Sequence, residues 1–474
     1  MQRSKYFLFF SSIIIFFLFF LAPLDTDLGW HLRYGEYVVK TWHFLQTNTL
    51  TYYLEGYYWA NSYTLYQIIA YFIYKFFGLI GFNFACALVM SAGYCLFCLT
   101  NLRFAKINFF LFLCLSFFSW QIFNLGFRSQ LFSFLFTVLT FYILDKSENN
   151  PKSLYILPPI FFIWANLHGA FAFGLFILVV FLLDKIIYHK EKGVLTISLV
   201  FFISFLSTLL NPYGIGVYRE GLTHITYPLG SLIAEWVPPN LTYCLVIAFL
   251  LIFTFISLLV KNAGKKAFWF IIVTTFAIFA FTARRNIPLL GLAFAECFIF
   301  TFHDKLAALE NNQKFTEFSI IALIVIAILY ISLGVLPGSV IMSVDSTAYC
   351  NDRFIQYPCQ AVSFLKQKGV INENIFANYE WGGYLEWALP NDKFFVDGRM
   401  PTWKTPENLS PYTVYLNVIQ AQPDYEATLD KYKTDVLLMG AGSFLDLELK
   451  NNKSVWQEVY RDGTSVVYFR RLIK

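Results

Sequence analysis

The sequence predicts an α-helical polytopic membrane protein with about eleven transmembrane helices and a small C-terminal α/β domain. Three observations lead there. The chain of 474 residues is 58% hydrophobic and only 14% charged, far too apolar for a soluble protein of that size. Apolar stretches of span-like length recur from the N-terminus to about residue 336. Beyond that point the composition turns polar, and β-rich runs alternate with helical ones.

The first apolar run, "YFLFFSSIIIFFLFFLAPL" from Tyr6, follows Arg3 and Lys5 as a signal peptide would. Its core exceeds the ~7–15 residues usual for a signal and no small-x-small cleavage site follows, so it reads as an uncleaved first span. Further apolar segments run approximately 81–99, 107–121, 129–144, 154–166, 169–187, 194–211, 242–260, 267–282, 287–302 and 317–336. Several are short for a span of ~20 residues and need tilt or buried ends.

The stretch 64–80, "TLYQIIAYFIYKFFGLI", decides between eleven spans and twelve. With eleven spans and a cytoplasmic N-terminus, the inner segments carry fourteen basic residues: Arg3, Lys5, Arg103, Lys106, Lys146, Lys152, Lys185, Lys190, Lys192, Lys261, Lys265, Lys266, Lys305 and Lys314. The outer segments before residue 337 carry seven. A twelfth span would move twelve of the fourteen outside, against the positive-inside bias. Residues 60–80 are therefore expected to lie along the outer surface, with Tyr63, Tyr66, Tyr71, Tyr74 and Lys75 suited to the interface.

With that topology the polar motifs between spans all fall on the outer side: "DTDLGWHLRYGE" (25–36), "NLGFRSQ" (124–130), "WANLHGA" (164–170), "NPYG" (211–214), "AEWVPPN" (234–240) and "ARRN" (283–286). The region 337–474 is outside too. Inner loops such as "DKSENNPKS" and "YHKEKG" read as plain connectors. One-sided clustering points to a single site at the outer leaflet, or to caps on short helices.

This order of motifs resembles the GT-C glycosyltransferases, which take sugar from a polyprenyl-phosphate carrier and include the protein O-mannosyltransferases, the lipid A aminoarabinose transferases and the oligosaccharyltransferases. In that family an acidic first outer loop follows the first span. More narrowly it is similar to a bacterial set with D-x-D-x-x-W-H-L-R-x-G-E after the first span, then W-x-N, N-L-H-G, N-P-Y-G, E-W-x-P, A-R-R-N and N-Y-x-W-G-G-Y…D-G-R. Here these are Asp25 to Glu36, Trp59 to Asn61, Asn166 to Gly169, Asn211 to Gly214, Glu235 to Pro238, Ala283 to Asn286, and Asn378 to Arg399. One departure is "SYTLYQ" after Asn61, where that set tends to carry another His and Glu.

The resemblance implies a transmembrane domain over 1–336, with its outer loop at 24–80, and an extracytoplasmic domain over 337–474. It implies a bacterial cytoplasmic membrane, a polyprenyl-phosphate sugar donor, a glycan, lipid or protein acceptor, and inverting transfer of a hexosyl or pentosyl group. Such transfer needs a base for the acceptor and cations for the leaving phosphate. Asp25 and Asp27 are the candidate acids, either as base or, as an i, i+2 pair, as joint holders of a divalent cation; Asp27 also suits a helix N-cap. No metal is required by the sequence, and no cofactor is assigned. His31 and Glu235 complete the catalytic candidates. Arg284, Arg285 and Arg128 are the phosphate candidates, because the planar guanidinium matches phosphate oxygens. His168, Asn166 and Tyr213 are the remaining substrate-binding candidates. Glu296 is a carboxylate embedded well inside a span.

Six cysteines sit in apolar stretches; Cys350 and Cys359 lie in the polar region, where an oxidising compartment would let them pair. "GAGS" lacks the full G-x-G-x-x-G spacing, and no nucleic-acid signal is present. The competing reading is a non-enzymatic transporter or scaffold in envelope-glycan assembly. A transporter would gather polar groups near the bilayer midplane, whereas here they gather at one face.

Overall fold

A computed structural model describes residues 2–188, 193–260, 266–351, 355–451 and 455–471. Lys190, Lys192, Lys261 and Lys265, part of the basic count, lie outside the described residues. The chain divides into two compact units, one of Met1–Leu24, Leu79–Gly221 and Pro228–Val340, the other of Asp25–Gly78, Leu222–Tyr227 and Ile341–Lys474.

In the first unit every expected apolar segment holds a helix: Gln2–Leu18, Ile80–Thr100, Ala105–Phe118, Ser129–Ser147, Leu157–Leu167, Phe171–Tyr188, Val194–Thr208, Leu241–Val260, Lys266–Thr282, Ile287–Glu310 and Gln313–Ser332. Four of these positions, Ile80–Thr100, Leu241–Leu259, Arg284–Glu310 and Gln313–Ser332, are long and apolar enough to cross a membrane by length and composition, fewer than the eleven expected. The others hold between 11 and 19 residues, or about 17–29 Å at 1.5 Å per residue, which falls short of a ~30 Å hydrocarbon core.

A turn before the Ser129–Ser147 helix sets the start of the site. Gly126 has φ +79°, and a Cβ there would overlap the Ala22 carbonyl. Leu24 N donates to Leu125 O at 3.0 Å, so the segment after the first helix is tied to this turn, and Arg128 stands at the N-terminal end of the helix that follows it.

The second unit is built on a five-stranded sheet of order β2-β1-β3-β5-β4, with β1 Asn374–Ala377, β2 Lys393–Phe394, β3 Val436–Gly440, β4 Trp456–Arg461 and β5 Ser465–Arg470. β1 runs parallel to β2 and β3; β5 is antiparallel to β3 and β4. The runs "NIF", "KFF", "DVLLMG" and "SVVYFRR" supply strands as expected. Most of "GYLEWAL", another of the β-rich runs of the sequence, instead lies in the Gly382–Ala388 helix, where a Cβ at Gly383 would overlap the Thr26 carbonyl and one at Gly382 would crowd Val396 O at 2.7 Å.

Hydropathy divides the chain near residue 336, but packing divides it differently. Residues of the first loop, Trp30, Tyr34, Leu45, Tyr53 and Trp59, share one core with Phe376, Phe395, Trp403 and Leu437. Thr51 bridges Phe394 in parallel, and Tyr52 N donates to Phe394 O at 3.1 Å, extending the sheet past β2. The Thr64–Phe77 helix, 14 residues long, belongs to this unit and rests on the Leu28–Thr41 helix, where a Cβ at Gly35 would overlap Gln67 O. Cys350 and Cys359 are disulfide-bonded, with Cα atoms 6.0 Å apart.

Candidate functional site

Within the first unit four of the expected residues come together. The Glu235 carboxylate is ion-paired with the Arg128 guanidinium across 107 positions of sequence. Arg284 Nε donates to Ala234 O at 2.6 Å, and Arg284 N donates to Val237 O at 3.2 Å. The Arg285 guanidinium lies 4.5 Å from the centre of the Trp236 ring, a cation–π contact. The two arginines thus hold the 234–237 loop, which in turn brings Glu235 to Arg128.

Burial alone would push the Glu235 carboxyl up. Arg128, Arg285 and Arg284 more than reverse this and hold it below the usual carboxylate range. Glu235 is therefore a fixed anion that orients guanidinium groups, and a weak proton acceptor. Arg284 and Arg285, half-buried at a helix end, and the buried Arg128 gather positive charge around the one Glu235 carboxylate. Such a cluster binds anions, and phosphate in particular.

The other candidates of this unit make local contacts. His168 Nδ1 is 2.7 Å from Ser133 Oγ, which also accepts from Trp164 Nε1 at 2.7 Å. Asn166 Nδ2 donates to Phe162 O and Leu210 O at 2.9 and 3.2 Å, joining two helix ends. Tyr213 N donates to Asn211 Oδ1 at 2.8 Å and Asn211 Nδ2 to Gly214 O at 3.1 Å, so "NPYG" closes on itself as an Asx turn.

In the second unit Asp25 is buried, and its Oδ1 accepts from Asp27 N at 3.2 Å. Asp27 occupies the N-cap position of the Leu28–Thr41 helix, yet its Oδ1 accepts from Trp30 Nε1 at 3.0 Å and no side-chain capping bond forms. A Cβ on Gly398 would overlap this carboxylate, so the glycine of "DGR" is required by Asp27. His31 lies tilted against Trp30, with ring centres 3.6 Å apart, and meets the Tyr66 ring edge-on at 4.8 Å. Gln67 Nε2 lies 3.4 Å from His31 Nδ1, and Gln67 Oε1 accepts from Asn61 Nδ2 at 2.7 Å. Gln67, in the stretch that departs from the bacterial set, thus fills its position with an amide network. Among the described residues, no group of three or more His, Cys, Asp or Glu is placed to hold a metal ion.

Sequence reasoning missed a buried network around Arg399. Its Nε donates to Asp397 Oδ1 at 2.9 Å, Nη1 to the Tyr34 hydroxyl at 2.6 Å and Nη2 to Asn48 Oδ1 at 3.3 Å; Nη2 also pairs with Asp397 Oδ2. Glu386 Oε1 lies 3.5 Å from Nη2. Burial and the Asp397 charge raise the Glu386 carboxyl well above its usual range, whereas for Asp397 burial is outweighed by Arg399 and the carboxyl is lowered. Burial and Arg399 oppose one another at Tyr34 too, whose hydroxyl is pushed up to about 12. The available signal was "VDGRM", which reads from the sequence as a candidate acceptor-side loop and more readily as a turn.

No protein-family model and no characterised protein sequence matches the chain. Solved structures do. The archaeal oligosaccharyltransferase AglB from Archaeoglobus fulgidus, in complex with an inhibitory peptide and a dolichol-phosphate, matches with a TM-score of 0.63 at 11% identity over 99% of this chain and 74% of that one. The A. fulgidus oligosaccharyltransferase tethered to an acceptor peptide containing the NVT sequon matches with a TM-score of 0.62 at 12% identity, over 100% and 74%. Its complex with Zn and sulfate matches at 0.56 and 12% identity, over 98% and 73%. The chain therefore shares its fold with these oligosaccharyltransferases.

Proposed function

We propose that the protein is an integral-membrane glycosyltransferase of about eleven spans that moves a sugar from a polyprenyl-phosphate-linked donor to a glycan, lipid or protein acceptor at the outer face of a bacterial cytoplasmic membrane. The observation that carries this reading is the cluster of Arg128, Arg284 and Arg285 around Glu235 within a GT-C fold. The dolichol-phosphate and acceptor peptide held by solved oligosaccharyltransferases support the donor and acceptor classes. The disulfide supports an extracytoplasmic second unit.

In the proposed reaction an acceptor O–H or N–H attacks the anomeric carbon, Asp25 takes the proton, and the bond from that carbon to the phosphate oxygen breaks with inversion. Arg284 and Arg285 stabilise the leaving phosphate, which is charged before and after transfer. Glu235 keeps Arg128 oriented toward the same charge. Asp27 positions the chain around Asp25 through Trp30 and Gly398, or shares a divalent cation with it.

Transfer from a radiolabelled polyprenyl-phosphate sugar pool, in membranes carrying the protein, tests the proposal. General-base catalysis typically contributes ~10²–10⁴-fold, so Asp25→Asn should lower turnover by about that factor with donor binding nearly intact. Full activity in Asp25→Asn removes Asp25 as base. No transfer by the unmodified protein from any of several donors returns the chain to the transporter or scaffold reading.

A further inference from the structure

The Glu296 carboxylate stands apart from the chemistry above. It lies in the first unit on the Ile287–Glu310 helix, 4% exposed, and its Oε1 has no hydrogen-bond partner. It lines a cavity of about 320 Å³ with the rings of Trp269, Phe181 and Phe300; the exposed Asp145 and Asp304 stand at its edge, Asp304 beside the imidazole of His303 at 3.2 Å. Trp269 is 8% exposed, and its indole Nε1 likewise has no hydrogen-bond partner. Among the described residues, no lysine or arginine lines the cavity. Lys185, whose Nζ is 5.3 Å from the centre of the Phe181 ring, is held by Glu148 at 2.7 Å.

The cavity is remote from the arginine cluster. Arg128 and Asp145 stand at opposite ends of the Ser129–Ser147 helix, 17 positions and thus about 25 Å apart at ~1.5 Å per residue. Its volume is at the lower end of the ~300–1,000 Å³ typical of ligand sites. A buried carboxylate oxygen without a partner is costly, and aromatic faces attract cations once water is excluded. Acidic groups and ring faces in one concavity recognise an organic ammonium, with the indole N–H left for an acceptor oxygen on the same molecule.

We propose that this cavity is a second ligand site, which binds a small organic ammonium group through Glu296 and the Trp269 ring. The ammonium belongs either to a free amine or to the ethanolamine headgroup of a membrane lipid. The site is independent of the transfer reaction.

The test uses the full-length protein in phosphatidylcholine nanodiscs, titrated calorimetrically with phenethylamine and with its uncharged isostere phenethyl alcohol. Phenethylamine should bind saturably and at least ~30-fold more tightly than the alcohol, in line with the loss expected when a buried charge goes unpaired. Glu296→Gln, a near-isosteric change checked by an unaltered gel-filtration profile, should abolish that difference. Trp269→Leu should weaken phenethylamine several-fold while the alcohol changes little. Adding phosphatidylethanolamine to the nanodiscs separates the sources: apparent phenethylamine affinity falls if the lipid headgroup occupies the site and holds if a free amine does. Equal binding of amine and alcohol, undiminished binding in Glu296→Gln, or no saturable binding of phenethylamine would overturn the proposal.

Discussion

Replacing Arg399 by Met is the sharpest test of how the second unit is held together. The Arg399 side chain is fully buried, pairs with the Asp397 carboxylate and lies 3.5 Å from Glu386, whose carboxyl also feels the charge of Arg33. The thioether replaces the guanidinium stem but none of its bonds to Asp397, Tyr34 and Asn48. Removing one partner of a buried pair costs about 3–5 kcal/mol, a large share of the ~5–15 kcal/mol that holds a domain. For a unit of this size that is a fall in Tm of roughly 6–20 °C.

The loss has a definite pH dependence. In the unmodified protein the lowered Asp397 carboxyl contributes stability above its unfolded-state value, and this is lost as pH falls through its folded value. The raised Glu386 carboxyl acts oppositely, favouring the folded state at low pH and opposing it as pH rises past its unfolded value. Without Arg399 both carboxyls are raised. The deficit of Arg399→Met should therefore shrink as pH drops from 7 toward the unfolded carboxylate values of ~4. Adding Asp397→Asn and Glu386→Gln should restore most of the stability at neutral pH. Thermal unfolding of the detergent-solubilised full chain, followed together with protease resistance of the 355–471 region, reads these outcomes. An unchanged Tm in Arg399→Met, or a deficit that grows at acid pH, would refute the assignment of charge in this network.

Three further outcomes are expected. Arg284→Ala should weaken binding of a polyprenyl-phosphate sugar by about 10–100-fold and lower the transfer rate as well, since a charge-assisted bond contributes ~1.5–3 kcal/mol, and binding by fluorescence quenching alongside turnover checks both. Reducing the Cys350–Cys359 bond, which closes a loop of 9 positions, should destabilise the second unit by about 2–3 kcal/mol, measured by urea unfolding with and without reductant and reproduced by Cys350→Ser/Cys359→Ser. For topology, a cysteine placed at the exposed Asp424 should react with an impermeant maleimide on intact cells while one at the exposed Asn149 should not; labelling of both from outside would reverse the orientation.

Local features were legible in the sequence and non-local ones were not. Apolar runs locate all eleven helices, and β-branched runs such as "DVLLMG" and "SVVYFRR" locate strands, because burial of a segment is written in its own residues. Length governs the shortfall in candidate spans: the Leu157–Leu167 helix is apolar throughout but only 11 residues long. β4 escaped notice because its burial falls mainly on Trp456, with exposed or half-buried residues after it and no clean alternation. Arg284 and Arg285 were visible as stranded charges at a helix end. Their clasp on the 234–237 loop, and the pairing of Glu235 with Arg128, required distances that no periodicity reports. The role of "DGR" was hidden for the same reason, since what dictates Gly398 is the carboxylate of Asp27 at the far end of the chain.

The core shared by Asp25–Gly78 and Ile341–Lys474 has a consequence for biosynthesis. Trp30, Tyr34, Tyr53 and Trp59 leave the ribosome early, but the residues that cover them are encoded beyond the whole 79–340 stretch. At ~5–20 residues per second the wait is on the order of 10–50 s. Throughout that time a newly made aromatic surface stays uncovered, open to chaperones and proteases. A nonsense mutation anywhere before β1 would leave the early loop permanently without its sheet, so truncated products should be degraded even when all their apolar helices have been made.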